Sequence, residues 1–449
     1  MKKVLIANRG EIAARIIRTC QRLGVDTIAI YSNADRDLPY VKEATESYRI
    51  GEAPAQKSYM NGEAILDIAK RTEADGIHPG YGFLSENPDF VRQVHDAGLT
   101  FIGPSAEAVA LMGDKIKARQ RMQEAGVPVV PGSDGPCEDL AAARAVAEAI
   151  GYPVMLKAAA GGGGIGMTRC DSLSDLEQAF ESNRQRAAAY FGDASMFVEK
   201  AIDGGHHIEV QIFADRYERT VHLFERECSV QRRHQKVIEE SPSPFISVST
   251  RNKMTAAAIK AAEAVGYCNA GTVEFIVDQE ENFYFLEMNT RLQVEHPVTE
   301  AITGYDLVEW QLRVADGERL PAVQNEIKSE GHAIEFRLYA EDPQTFLPSP
   351  GQIDLWTYPE IEGIRVDAGY GEGNRVTPFY DPMIAKIIAF GEDRSEAMDR
   401  ARRFLRAMRI DGLKTNQALF LEILNMAAFQ EGRYDTSILQ TNGRRSNVK

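Results

Sequence analysis

Through the first 115 residues, short apolar runs alternate with stretches of helical periodicity. VLIAN, from Val4, precedes a segment whose Ile12, Ile16, Ile17, Cys20 and Leu23 share one helical face. Gly24 ends it, and TIAIY begins at Thr27. A helix near Gly62 to Glu73, the run GIHP, a helix near Asp89 to Ala97 and TFIG from Thr100 continue the alternation. Such β-α-β order predicts an open, mostly parallel, doubly wound sheet with helices on both faces. The turn after the first strand, ANRGEIA, holds one glycine, so the dinucleotide fingerprint is absent.

A cluster of Pro128, Pro131, Gly132, Gly135 and Pro136 marks a change of character. Beyond it, YPVMLK runs into AAAGGGGIGM, and Met167 to Cys170 predict a second strand. Ser174 with Glu177 predicts a capping box opening a helix from Asp175 to about Tyr190, and MFVEK predicts another strand. Residues 131–203 therefore read as a small inserted α+β domain. HIEVQIFAD, TVHLFERE, GTVEFIVD, NFYFLEMN and HAIEFRLYAED then alternate with period two, which predicts an antiparallel sheet with one wet face. An amphipathic helix is expected near Ser395 to Met408.

The chain has 449 residues, enough for about three domains. Its acidic residues outnumber basic ones by 66 to 51, a formal charge of -15, which argues against a nucleic-acid partner. No run of about 18 apolar residues occurs, so no membrane span is expected. The opening MKKVLIANRGEI has too short an apolar core for a signal peptide. Five scattered cysteines without a CxxC suggest neither a zinc site nor a disulfide framework, and fit a reducing cytoplasm.

Two features carry chemistry. Gly161 to Gly164 with Gly166 form a strand–loop–strand flap whose bare backbone N–H groups can wrap phosphate oxygens. Glu287, Asn289, Arg291, Gln293 and Glu295 share one parity, so in an extended strand they would face one way, toward Glu274 of the neighbouring strand. Carboxylates with an amide oxygen suit magnesium. Glu274 and Glu287 can share an ion only if Asp278 opposes Phe283 in the hairpin, or if a bulge restores that register; Val277 opposite Phe283 would set Glu274 against Leu286. The charge run ERECSVQRRHQKVIEE lies in the same region, and Cys228 within it reads as a buried thiol.

In order, ANRGEIA, HPGYGFLSEN, GDK, LKAAAGGGGIGM, VEK, HHIEVQ, RRHQK, EMNTRLQVEHPVTE and EFRLYAEDP closely resemble the biotin carboxylase family of the ATP-grasp superfamily, over essentially the whole chain. The resemblance implies an ATP-grasp architecture. A Rossmann-like domain would span 1–115, an ATP-grasp domain 116–330 with a mobile lid at 131–203, and a C-terminal domain 331–449. It implies ATP-dependent carboxylation of biotin by bicarbonate through carboxyphosphate. Lys115, Lys157, Gly162, Gly163, Gly164, Glu199, Lys200, His207, Glu274 and Glu287 would bind ATP, with Glu199 and Lys200 on the adenine side. Glu274, Glu287 and Asn289 would hold magnesium, or manganese in its place. Lys236, Arg291, Gln293, Val294 and Glu295 would hold bicarbonate, with Glu295 as its base. Arg337 would stabilise the biotin enolate, with Tyr81 and His234 nearby; Lys236, Arg291, Glu295 and Arg337 form the catalytic set.

The family usually carries a basic residue where Ile165 stands, and often another at Thr168. No Met-Lys-Met biotinylation sequence occurs, so biotin is expected on a separate carrier protein, with a carboxyltransferase subunit as second partner. The resemblance also implies a cytoplasmic homodimer. Another ATP-grasp carboxylate ligase, or a nucleotide-binding subunit with weakened catalysis, are the alternative readings.

Overall fold

The computed structural model describes residues 1–158, 167–232 and 235–439. Near the N-terminus, β1 (Lys3–Ile6), β2 (Asp26–Ser32), β3 (Glu46–Gly51), β4 (Gly76–His78) and β5 (Thr100–Phe101) form a parallel sheet in the order β3-β2-β1-β4-β5. The doubly wound expectation holds. β3 was not visible in the apolar pattern because, at the edge, it alternates between half-buried and exposed residues. Helix Gly10–Arg22 buries Ile12, Ile16, Ile17 and Cys20, and stops at Leu23 before Gly24, whose φ is +70°.

The chain leaves β1 on one side and returns to its other side for β4, so the crevice of this sheet opens between their carboxyl ends. Asn8 ties the two emerging loops: its Nδ2 donates to the carbonyls of Pro79 and Tyr81, both at 2.7 Å.

A second sheet, antiparallel and ordered β7-β6-β8, comprises β6 (Val154–Ala158), β7 (Met167–Cys170) and β8 (Met196–Lys200). Its own core includes Ala143, Val154, Leu156, Phe180 and Val198. The helix expected from Asp175 runs from Leu173 to Phe191, and Ser172 rather than Ser174 caps it. The reason is local: Ser172 Oγ accepts from the Asp175 amide at 3.3 Å, while the Asp175 carboxylate accepts from the Asp171 amide at 3.1 Å. The aspartate three residues past the cap thus reaches back to the amide before the cap and to the Ser172 hydroxyl, a variant of the expected capping box.

The largest sheet holds β9 (His206–Ala214), β10 (Thr220–Arg232), β11 (Gln235–Ser241), β12 (Asn269–Val277), β13 (Phe283–Asn289) and β14 (His332–Tyr339). Of the later strands, β15 (Gly351–Gln352) pairs with β18 (Arg375–Val376), and β16 (Leu355–Thr357) with β20 (Arg409–Asp411). The other two, β17 (Ile364–Ala368) and β19 (Met383–Gly391), complete the antiparallel order β13-β12-β9-β10-β11-β14-β19-β17. The expected wet face is not wet. Glu209, Arg226, Glu239 and Glu335 lie on this sheet fully buried, and helix His296–Thr303 packs against β10, β11, β14 and β19. Buried charges persist there because Arg226 and Lys236 pair with Glu209, and Arg337 pairs with Glu239.

The hairpin settles the carboxylate register. Val277 does oppose Phe283, the pairing that alone would set Glu274 against Leu286. A bulge at Leu286 then shifts the ladder by one, so Glu274 opposes Glu287. With Arg226 opposite Glu209, and Glu209 opposite Glu274, four charged residues form one row across β10, β9, β12 and β13.

The C-terminal part closes onto the first sheet at Gly369, where a Cβ would stand 2.4 Å from the Glu11 amide nitrogen. Gly369→Ala should therefore force this seam apart, costing about 1–3 kcal/mol; calorimetry should show a lowered thermal midpoint, with Ala368→Gly much milder.

Candidate active site

A cavity of about 990 Å³ lies where the three sheets meet. Asn8 to Ile12 and Tyr81 to Phe83 reach it from the crevice between β1 and β4. Lys157, Met167, Phe197 and Glu199 face it from the small sheet, and Pro378 to Asp381 close another side. Glu274 and Glu287 of the charged row, with Lys236 and Arg337, form its floor.

Lys236 is the centre of that floor. Its Nζ donates to Glu209 Oε2 at 2.6 Å, Glu274 Oε1 at 3.0 Å and Glu295 Oε1 at 2.7 Å. Burial works against the charged ammonium, but these carboxylates hold its pKa well above the ordinary value. The same exchange holds Glu274 and Glu295 well below the usual carboxylate range against burial, Glu274 through Lys236 and His207, Glu295 through Lys236 and Arg337. Glu274 is further gripped by His207 Nε2 at 2.6 Å, Asn289 Nδ2 at 2.8 Å and Gln293 Nε2 at 2.9 Å.

Glu287, directly across the hairpin, differs. It makes no hydrogen bond or ion pair among the described residues, and burial together with Glu274 pushes its carboxyl up. Two facing carboxylates, one unmatched by a protein cation, fit a divalent cation. Asn289 does not present a ligand atom as it stands. Its oxygen accepts from Arg291 Nη2 at 3.0 Å, so the amide orients Glu274 instead.

The strand ends at Asn289, so the shared parity expected through Glu295 does not apply beyond it. Arg291, Gln293 and Glu295 nonetheless reach the site, through hydrogen bonds rather than pleat. Arg291 donates to Glu86 at 2.8 Å and to Gln293 Oε1 at 2.8 Å. Glu295 begins helix His296–Thr303, fully buried beneath the cavity between Lys236 and Arg337, whose Nη2 lies 2.9 Å from Glu295 Oε2. The Val294 carbonyl accepts from Lys386 Nζ at 2.8 Å, which fixes the backbone there.

Lys115, Lys157, Glu199, His207 and Tyr81 line the cavity. The Lys157 ammonium pairs with the Glu199 carboxylate. Lys200 is not on the lining: its Nζ donates to the carbonyls of Gly151 and Tyr152, both at 3.0 Å, so its side chain braces the small sheet instead of facing the nucleotide side. Gly162, Gly163, Gly164, Ile165 and His234 lie outside the described residues.

Several residues of the site were not singled out from sequence. Glu209, at the middle of the charged row, shares a parity with His207 in HHIEVQ, a signal that was present but unread. Glu86, the partner of Arg291, had only its place in HPGYGFLSEN. Gln231, which holds His207 Nδ1 at 2.6 Å, and the segment Pro378 to Asp381 carry no local signature.

Family models match in sequence order: "Biotin carboxylase, N-terminal domain" over residues 1–109, "Carbamoyl-phosphate synthase L chain, ATP binding domain" over 114–323, and "Biotin carboxylase C-terminal domain" over 335–441. The chain is 57% identical to biotin carboxylase 2 of Bacillus subtilis over 438 residues, covering 98% of this chain and 99% of that protein. It is 49% identical to the mitochondrial methylcrotonoyl-CoA carboxylase subunit alpha of Glycine max, covering 98% of this chain and 60% of that one. Among solved structures it resembles a biotin carboxylase–beta-gamma-ATP complex from Campylobacter jejuni, with TM-score 0.95, 48% identity and 98% of each chain covered. It also resembles the dimeric biotin carboxylase domain of the Hydrogenobacter thermophilus 2-oxoglutarate carboxylase in complex with MgADP, ADP and bicarbonate. There the TM-score is 0.94 at 45% identity, with 98% and 97% of the two chains covered. With three domain matches in order and more than half its residues shared with a full-length relative, the chain belongs to the biotin carboxylase family.

Proposed function

We propose that the chain catalyses the ATP-dependent carboxylation of biotin by bicarbonate, the first half-reaction of a biotin-dependent carboxylase. The observation that carries this reading is the buried Lys236–Glu295–Arg337 chain on the cavity floor, which sets a carboxylate base between two cations. Bicarbonate is an anion that must also lose a proton. Arg291, Gln293, the Val294 backbone and Lys236 would hold it, and Glu295, ionised because Lys236 and Arg337 hold it so, would take the proton. The bicarbonate oxygen attacks the γ-phosphorus of ATP and ADP leaves. The resulting carboxyphosphate breaks its C–O bond to give carbon dioxide and phosphate. The phosphate so released takes the proton from biotin's ring nitrogen, which then attacks the carbon dioxide to form the N–C bond. Arg337 would stabilise the negative charge on the biotin oxygen, with Tyr81, which lines the same cavity, as a second biotin contact.

Glu274 and Glu287 would hold magnesium, which when bound offsets the charge of the ATP phosphates; Asn289 could join only by turning its amide. Lys115, Lys157, Glu199 and His207 are proposed as nucleotide contacts. We take 1–115, 116–330 and 331–449 as the working units, with 131–203 as a lid, since the small sheet carries a core of its own. The partners proposed are a biotin-bearing carrier protein and a carboxyltransferase subunit, with a second copy of the chain as dimer mate. No helix among the described residues is long and apolar enough to cross a membrane; the cytoplasm is the proposed compartment.

The reaction is tested by phosphate release from ATP, which should require bicarbonate and rise with free biotin; release indifferent to both would refute it. In the same assay Lys236→Ala and Arg291→Ala should raise the bicarbonate requirement far more than they weaken ATP binding. A loss confined to nucleotide affinity would contradict the anion site. Glu287→Gln should weaken magnesium binding by at least about tenfold, read by calorimetry with an ATP analogue; unchanged affinity would remove Glu287 from the ligand set. Amide exchange in β6 and β7 should slow when ATP analogue and magnesium saturate the protein, and an unchanged pattern would argue against the lid.

A further inference from the structure

Arg337 Nη2 stands between two carboxylates. It lies 2.9 Å from Glu295 Oε2 and 2.5 Å from Glu239 Oε1. The function above uses Glu295 and Arg337 but gives Glu239 nothing to do. Glu239 is fully buried, its ion pair with Arg337 is its only one among the described residues, and neither of its oxygens accepts a well-directed hydrogen bond. Across the β11–β14 ladder it faces Glu335, equally buried and equally without hydrogen bonds.

Its position is built rather than incidental. Lys236 and Glu239 are three apart and would face opposite ways in a regular strand. Of the two register shifts in the β10–β11 ladder, the one between Val230 and Gln231 leaves Val237 as an extra residue in β11, which turns Lys236 and Glu239 to one face of the sheet. The other groups near Glu239 are Glu295 at the start of its helix, Cys228 on β10 and Tyr339 on β14.

We propose that Glu239 is a positioning residue that shares Arg337 with Glu295, keeping the guanidinium from committing wholly to Glu295 and so preserving Glu295 as a base. This rests on the roles given to Glu295 and Arg337 above. A cation divided between two carboxylates stabilises either charge less than one devoted to a single partner, and each carboxylate raises the other's proton affinity. Without the Glu239 charge, Arg337 belongs to Glu295 alone. Glu295 then holds its negative charge more tightly and takes a proton less readily.

The arrangement makes the device sensitive to pH. Burial pushes the Glu239 carboxyl up to about 7, with Glu295 adding to the rise and Arg337 opposing it. Burial pushes the Glu335 carboxyl well above the usual range, with Glu239 adding to the rise and Lys386 opposing it. As the pH falls, Glu239 takes a proton, Arg337 turns to Glu295, and the base weakens.

Biotin-dependent turnover of the whole protein, at saturating ATP and bicarbonate, should fall as the pH is lowered through about 7. Glu239→Gln should run close to the wild-type low-pH rate throughout the neutral range, with its acid limb displaced downward by roughly one pH unit or more. Its KM for ATP should not change. Glu335→Gln, which leaves both ion pairs of Arg337 in place, should keep the wild-type limb. An acid limb left in place by Glu239→Gln, or moved as far by Glu335→Gln, overturns the proposal. If Glu239→Gln does not fold, infrared difference spectra of the wild-type protein decide: a buried carboxyl band titrating near 7 is expected, and its absence overturns the idea. Failure of the underlying reading shows separately, because Glu295→Gln would then keep its biotin-dependent rate whatever Glu239→Gln does.

Discussion

One buried ammonium organises this molecule. Lys236 lies among Glu209, Glu274 and Glu295, none of which is more than 5% exposed. An unpaired charge at such depth costs several kcal/mol, so each of these groups depends on the others being present and in register. The row Arg226–Glu209–Glu274–Glu287 extends the arrangement across four strands, and the pair Arg337–Glu295 extends it toward β14. At the outer end, Glu287 makes no ion pair among the described residues. Excess negative charge is therefore concentrated at the cavity edge where a metal would neutralise it.

That charged floor can serve chemistry only if water is controlled above it. The cavity takes its walls from three sheets: the small sheet has a core of its own, while one face of the first sheet shares a core with the large sheet. The crevice between β1 and β4 supplies one wall because the strand order reverses there. The tight seam at Gly369 holds the C-terminal part against the first turn of helix Gly10–Arg22, whose residues face the cavity. The small sheet supplies the wall with the fewest ties to the rest, which suits a part that admits and then covers a nucleotide.

Much of this was legible from residue order. Parallel and antiparallel segments were separable because hydrophobic periodicity differs between doubly covered and alternating strands. The edge strand β3 escaped notice because its exposed residues carry no apolar signal. The polar face of the large sheet was visible, but alternation cannot distinguish a face open to water from one covered by a helix and neutralised by ion pairs. The cap at Ser172 was misplaced by two residues because serine occurs at both positions and either has an acidic residue three places on.

For the candidate site, the sequence alone determined which chemical groups are present and which of them share a strand face: Glu287 with Asn289, and the pairing that Glu274 would need. Tertiary structure decided the rest. A one-residue bulge at Leu286 sets Glu274 opposite Glu287, and another at Val237 brings Lys236 and Glu239 to one side. Bulges respond to packing on both faces of a sheet, and no local run of residues records that packing. Glu209 and Glu86 meet their cations from distant parts of the chain, at contacts that exist only once the sheets have closed on each other. Spacing along a strand is a local property that the backbone repeat enforces; the sharing of one buried cation among carboxylates from three separate segments is a property of the assembled core.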